Sequence, residues 1–349
     1  MRVCRLAGPE DAVDPDKLAG FIGPVRAVVR VPLATAGYTA AHHERLEVTL
    51  STGEVRRLVV KRVRLAADWT ACRTGDRLGR EAALLGEPAL AAVWEVIECP
   101  YLAFWTAEGE IGLVMDDLSP FLLPDARAPL REDQEEQLLA ALAALHARFW
   151  FSPALELPWL ARAEHYAALL DAHSAPSGDA ATELPSPLRE RVERGWATAR
   201  RRLPVSVAAA LARPAAEVAG SWASLPRTLL HGDVKVANFA LVPEHSVAAF
   251  DWAMIGTGPA ALDVGWYLAV NASRLARPKE DVLARYRVLL TQRLGQPLSD
   301  ELWGSLVRAA VICGARMLLW SKALALDADG PGSREEWAWW VERLEAAIQ

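Results

Sequence analysis

Hydrophobic and polar positions along the chain change their period near residue 120. Between residues 25 and 65 the period is that of strands. Val28, Val29 and Val31 form a β-branched run, and Leu46, Val48 and Leu50 alternate with Glu47 and Thr49, the two-residue repeat of a strand with one buried face. Ser51-Thr52-Gly53-Glu54 is a turn signal, and Leu58, Val59, Val60 and Val63 predict a returning strand that carries Lys61. A hairpin or antiparallel meander is expected. Residues 76–92 set Leu78, Ala82, Leu84 and Leu85 among charges, which predicts a helix bearing Glu81. Residues 93–97 and 111–115 read as two more strands.

Beyond residue 120 the spacing turns helical. Leu138, Leu139, Leu142, Leu145 and Phe149 recur on one helix face. Segment 171–187, rich in Ser, Pro, Gly and Asp, reads as a loop. Residues 302–326 and 334–348 read as helices, the second with Glu335 and Glu336 in its first turn, where the helix dipole favours acid. There is no internal repeat. Strands followed by helices predict an α+β fold of two lobes, 1–117 mainly β with one helix and 118–349 mainly helical. A cleft between two lobes is a common ligand site.

A length of 349 residues allows two compact units or one large one. With 52% apolar and 23% charged residues the chain fills a core, which excludes general disorder. The net charge of −6 argues against a nucleic-acid partner, and the run Arg200-Arg201-Arg202 reads as a solvated helix face. The four cysteines, Cys4, Cys72, Cys99 and Cys313, lie far apart without metal-ligand spacing, as expected of reduced, mostly buried thiols in a cytosolic protein. The N-terminal residues turn acidic at Glu10 and Asp11, unlike a signal peptide. No uncharged apolar stretch of about 18 residues is present, so no membrane-spanning helix is expected. The longest candidate, 255–270, contains Asp263. A cytoplasmic protein without a membrane partner is expected, its oligomeric state open.

The chemistry concentrates in LLHGDVKVANFALV and the AAFDW that follows. His231, Asp233, Lys235 and Asn238 share one loop between apolar runs, and Asp251 comes 18 residues after Asp233. A polar loop held between short strands is a rigid mount for reacting groups. A carboxylate can accept a hydroxyl proton. An amide oxygen and a second carboxylate are hard ligands suited to Mg²⁺. A lysine supplies positive charge to a transferring phosphoryl group. These are the parts phosphoryl transfer needs. Ser–His–Asp hydrolysis lacks its G-x-S-x-G elbow.

This constellation resembles the catalytic core of the aminoglycoside phosphotransferase-like and choline-kinase-like small-molecule kinases, relatives of the protein kinases. HGDVKVAN followed by FDW resembles H-R-D-x-K-x-x-N and D-F-G. Gly232 in place of arginine, Trp252-Ala253 in place of F-G, and the lone Gly37 of LATAGYTA point to the small-molecule branch, whereas Lys235 is closer to protein kinases. The resemblance spans roughly residues 25–270. It implies a bilobal protein-kinase-like fold and an ATP- and Mg²⁺-dependent enzyme that phosphorylates a hydroxyl of a small molecule. Asp233 would be the catalytic base. Lys235 would contact the γ-phosphate. Asn238 and Asp251 would hold Mg²⁺. Lys61, paired with Glu81 rather than its competitor Glu87, would fix the α/β-phosphates. Backbone groups of Met115, Asp116 and Asp117 would meet the adenine. Asp263 would brace the catalytic loop. His231 and His146 are expected to be structural.

The acceptor is not readable. The 14 tryptophans serve core packing or the walls of a bulky, partly apolar substrate site. Segment 186–230 is rich in arginine and poor in acids, which weakens an aminoglycoside polycation as acceptor. Antibiotic, sugar and amino-alcohol acceptors remain open, as do three alternatives: an enzyme acting on a protein substrate, a nucleotide-binding scaffold without turnover, and an interaction protein that binds no Mg·ATP.

Overall fold

The computed structural model describes residues 3–33, 38, 40–123, 128–171, 184–243 and 246–349. The first part is β1 (Cys4–Arg5), α1 (Pro15–Ile22), β2 (Val25–Pro32), β3 (His42–Leu50), β4 (Val55–Arg64), α2 (Trp69–Thr74), α3 (Arg80–Gly86), β5 (Tyr101–Ala107) and β6 (Glu110–Asp116). The strands form one sheet in the order β1-β5-β6-β4-β3-β2, antiparallel except where β1 joins β5. The two-residue period of β4 divides its side chains. Leu58 and Val60 enter a small core with Leu18 and Ile22 of α1, Leu46, Val48 and Trp105. Lys61 and Val63 face the other way, toward α3 and the main core.

The second part contains α4 (Glu132–Arg148), α5 (Ala163–Ala168), α6 (Ser186–Arg202), α7 (Val205–Leu211), α8 (Ala215–Ser221), β7 (Thr228–Leu230), β8 (Phe239–Val242), β9 (Ser246–Ala249), β10 (Gly256–Gly258), α9 (Ala261–Val270), α10 (Lys279–Leu294), α11 (Asp300–Asp327) and α12 (Ser333–Ala347). Two short hairpin-like pairs, β7 with β10 and β8 with β9, sit among the helices. The loop 231–238 leaves β7, and Asp251 follows β9, so the two pairs bring both segments to the mouth between the lobes. The α+β class and the two-lobe arrangement expected from the pattern change are what the structure shows.

Several local expectations are corrected. The helix expected over 76–92 is only α3, flanked by α2 and by a 3-10 turn over Pro88–Glu95. Asp76 caps α3 by accepting from the amides of Gly79 and Arg80, which starts the helix late and leaves Leu78 exposed. Residues 93–97 are not a strand. Leu90, Val93 and Ile97 are buried at helical spacing, and the strand is β5, beyond Pro100. Only Cys313 of the four thiols is fully buried. The longest apolar helix is α11 rather than 255–270. It has 28 residues and is long and apolar enough to cross a membrane, yet 61% of its most apolar window is buried inside this fold. Most of the loop expected at 171–187 and Gly37 lie outside the described residues, and α6 already begins at Ser186. Tryptophans 105, 196, 222, 252, 320 and 340 are core residues.

Candidate active site

Lys61 projects from β4 between two carboxylates. Its Nζ donates to Glu81 Oε2 at 2.7 Å and to Asp251 Oδ1 at 2.6 Å. Burial pulls the Lys61 ammonium down, but the two carboxylates more than reverse this and raise it. Asp251, which burial alone would push up, is held well below the usual carboxylate range by Lys61. Glu87 is not the partner; it caps the following turn by accepting from the Ala89 amide.

Glu81 lies at the start of α3 and is almost fully buried. Its Oε1 accepts from the Tyr101 hydroxyl at 2.6 Å and from the Asp251 amide at 2.9 Å. The carboxylate therefore joins β4, β5 and the loop after β9. Asp251 itself has φ 64 and ψ 54, a left-handed conformation that costs a non-glycine residue energy and persists because its surroundings fix it.

The loop after β7 is built from its backbone outward. Asp263, in the first turn of α9, accepts from the amides of His231 at 2.8 Å and Gly232 at 2.9 Å, so the bracing arrangement is present. Asn271, at the end of α9, accepts from the Val236 amide and donates to the Val234 carbonyl. His231 accepts from the Asp233 amide on Nδ1 and donates from Nε2 to the Phe250 carbonyl. That pattern needs the neutral imidazole, and burial lowers its pKa accordingly. His146 is a core histidine between Tyr286 and Asp263.

Asp233 carries the loop's carboxylate toward the cleft. Its Oδ2 accepts from Lys235 Nζ at 2.8 Å and from Asn238 Nδ2 at 3.1 Å; its Oδ1 accepts from Trp266 Nε1 at 2.8 Å. Burial lowers the Lys235 ammonium, and Asp233 reverses this to raise it. Asn238 commits its NH₂ to Asp233, which leaves its amide oxygen as the end available to a cation. Among the described residues no three His, Cys, Asp or Glu side chains converge as a closed metal cage. One amide oxygen and the half-exposed Asp251 carboxylate make an open oxygen site that fits an ion completed by water and phosphate oxygens, as Mg²⁺ requires.

At the connector, Met115 pairs within the sheet, and the amides of Asp116 and Asp117 are taken by the carbonyls of Pro100 and Arg57. The side chains of these two aspartates bind Arg56 and Arg45. The amides of Asp116 and Asp117 are thus engaged within the first lobe. Sequence reasoning missed Tyr101, Trp266 and Asn271. Trp266 and Asn271 stand three and eight residues after Asp263, a helical spacing that a bracing Asp263 already pointed along. Nothing in the sequence singled out Tyr101.

The sequence pattern of the phosphotransferase enzyme family, APH, matches residues 40–298. The chain belongs to that family and is a phosphotransferase of the kinase-like class. Among solved structures it is similar to a choline kinase from Cryptosporidium parvum (9% identity, 97% of this chain and 94% of that chain, TM-score 0.49). It is also similar to a choline/ethanolamine kinase family protein from Mesorhizobium loti (16%, 97% and 92%, 0.44) and to a type VIII aminoglycoside-3′-phosphotransferase (18%, 86% and 99%, 0.43). Similarities at these values say nothing of the acceptor. No curated protein sequence matches the chain at a significant level.

Proposed function

We propose that the protein transfers the γ-phosphoryl group of ATP to a hydroxyl of a small molecule. The observation that carries this reading is that Asp233, held by Lys235, Asn238 and Trp266 with an acceptor position left on Oδ1, shares one polar site with Asp251, to which Lys61 is clamped together with Glu81. Asp233 takes the hydroxyl proton. The hydroxyl oxygen bonds to the γ-phosphorus as the bond to the β–γ bridging oxygen breaks, ADP leaves, and Asp233 returns the proton to water. Lys61 holds the α/β-phosphates, and Lys235 neutralises charge on the γ-phosphate. Asn238 and Asp251 would hold Mg²⁺, which supplies charge neutralisation across the phosphates.

The arginine-rich, acid-poor segment 186–230 favours an acceptor that is neutral or anionic. Arg191 on α6, within that segment, donates to the Tyr38 hydroxyl at 2.8 Å. A polycation would meet like charge there.

The test is transfer of labelled γ-phosphate from Mg·ATP to a pool of sugars, amino alcohols, hydroxy acids and antibiotics. Label is expected on a small molecule, and Asp233→Ala should lower the rate at least a thousandfold while nucleotide binding persists. Label on protein alone, or an undiminished rate in the variant, overturns the reading.

A further inference from the structure

The face of α9 turned to the catalytic loop does more than brace it. Asp263, Trp266 and Asn271 each hold a different stretch of the loop: the amides of His231 and Gly232, the Asp233 side chain, and the backbone of Val234 and Val236. Successive turns of one helix thus hold successive residues of one loop. The first and third contacts fix the backbone. The second fixes a carboxylate.

The distribution of donors on that carboxylate is uneven. Each carboxylate oxygen offers about two acceptor positions. Oδ2 of Asp233 receives Lys235 Nζ and Asn238 Nδ2, which fill both. Among the described residues Oδ1 receives only the Trp266 indole N–H, at 2.8 Å. One position on Oδ1 is left for an incoming hydroxyl. The terminal torsion of an aspartate is broad and nearly two-fold, so without a fixed donor on each oxygen the two could exchange places. An indole is well suited to prevent this. It is rigid, it moves on two torsions only, and its N–H seeks a partner when buried. Trp266 is 6% exposed. Its helix is seated on α11 at Gly265, where a Cβ would lie 2.1 Å from the Ala310 carbonyl oxygen, so the indole has little freedom to follow a rotating carboxylate.

We propose that Trp266 is a positioning residue that fixes the rotation of the Asp233 carboxylate, and that Oδ1 is the atom that receives the acceptor's proton. This rests on the phosphotransferase reading above and adds to it which oxygen works and what holds it. The hydroxyl proton passes to Oδ1 as the oxygen bonds to the γ-phosphorus, and the electron pair of the breaking P–O bond leaves with ADP.

Trp266→Phe keeps an aromatic ring and removes the N–H. The expected result is a kcat at least tenfold lower. The dissociation constant of Mg·ATP should stay within twofold of wild type and the melting temperature within a few degrees. A purely structural role would lower the melting temperature and disturb nucleotide binding as well. The second measurement is the indole ¹H–¹⁵N resonance of Trp266, assigned by its absence from Trp266→Phe. It should move upfield in Asp233→Ala and stay in place in Arg191→Ala. A Trp266→Phe enzyme with kcat within twofold of wild type overturns the proposal, as does an indole resonance indifferent to Asp233→Ala. A wild-type enzyme that labels no small molecule would remove the phosphotransferase reading itself, while the indole resonance would still report whether Trp266 holds Asp233.

Discussion

Glycine at position 232 has a local physical cause. Its φ is +83°, and a Cβ built there would stand 2.2 Å from the Met254 carbonyl oxygen. An L side chain meets both a disfavoured backbone region and a backbone atom that cannot step aside. The sequence marked Gly232 only as a departure from the arginine of protein kinases; the structure supplies the reason for glycine. Gly232→Ala is expected to destabilise the fold by about 1–3 kcal/mol and to cut turnover at least tenfold, because Asp233 is the next residue. Urea unfolding and steady-state rates measure the two effects. Asp233, Asn238 and Asp251 drew notice in the sequence because they fall within short segments whose residue types and spacing phosphoryl transfer could use. Tyr101 was not, since a tyrosine whose hydroxyl meets a buried carboxylate looks in sequence like any apolar strand residue.

At the scale of elements, α9 and α11 decide how well the catalytic loop is held. They pack tightly at two glycines: a Cβ on Gly265 would lie 2.1 Å from the Ala310 carbonyl oxygen, and a Cβ on Gly314 2.5 Å from the Gly265 carbonyl oxygen. Gly265→Ala should force the helices apart, at a cost of about 1–3 kcal/mol, and move Asp263 and Trp266 together. Activity is expected to fall more than the loss of stability alone explains, since both residues touch the loop. Comparing rates with the fraction folded in a calorimetric scan separates the two. Strand and helix types were readable where the period was long and regular, as in β3 and α4. The expectation failed at 76–97, where short helical turns, an Asp76 cap and Pro88 replaced one long helix and a strand. Apolar runs of five residues fit both periods, and only the neighbouring sheet settled which face was buried.

At the scale of the molecule, the lobes are joined through buried polar groups. Lys61 and Glu81 of the first lobe bond Asp251 of the second. Arg80 on α3, itself buried, donates from Nε to the Trp159 carbonyl at 2.8 Å and from its other nitrogens to Thr74. This ties the helix that carries Glu81 to the second lobe without any added group. The same region sets an acid limit. Burial, then the charges of Arg80 and Arg162, lowers His165 to about 4, and burial lowers His231. Both imidazoles stay neutral when folded and take protons near the ordinary value of 6.5 when unfolded. The stability His165 contributes is whole above about pH 6.5 and is lost as pH falls toward 4, and His231 acts in the same direction. The melting temperature should drop steadily over that window, and His165→Asn should flatten the drop; a slope identical to wild type would rule His165 out as a contributor.

Read alone, the sequence yields the α+β class, the strand that carries Lys61, and the cluster of polar residues between 231 and 251. Each follows from a period or a spacing contained in a few neighbouring residues. Only the tertiary fold showed that Tyr101 meets Glu81, that Trp266 holds Asp233, and that Arg80 spans the lobes. Those partners lie 20 to 79 residues apart, and their pairing depends on how the elements pack, which no local pattern records.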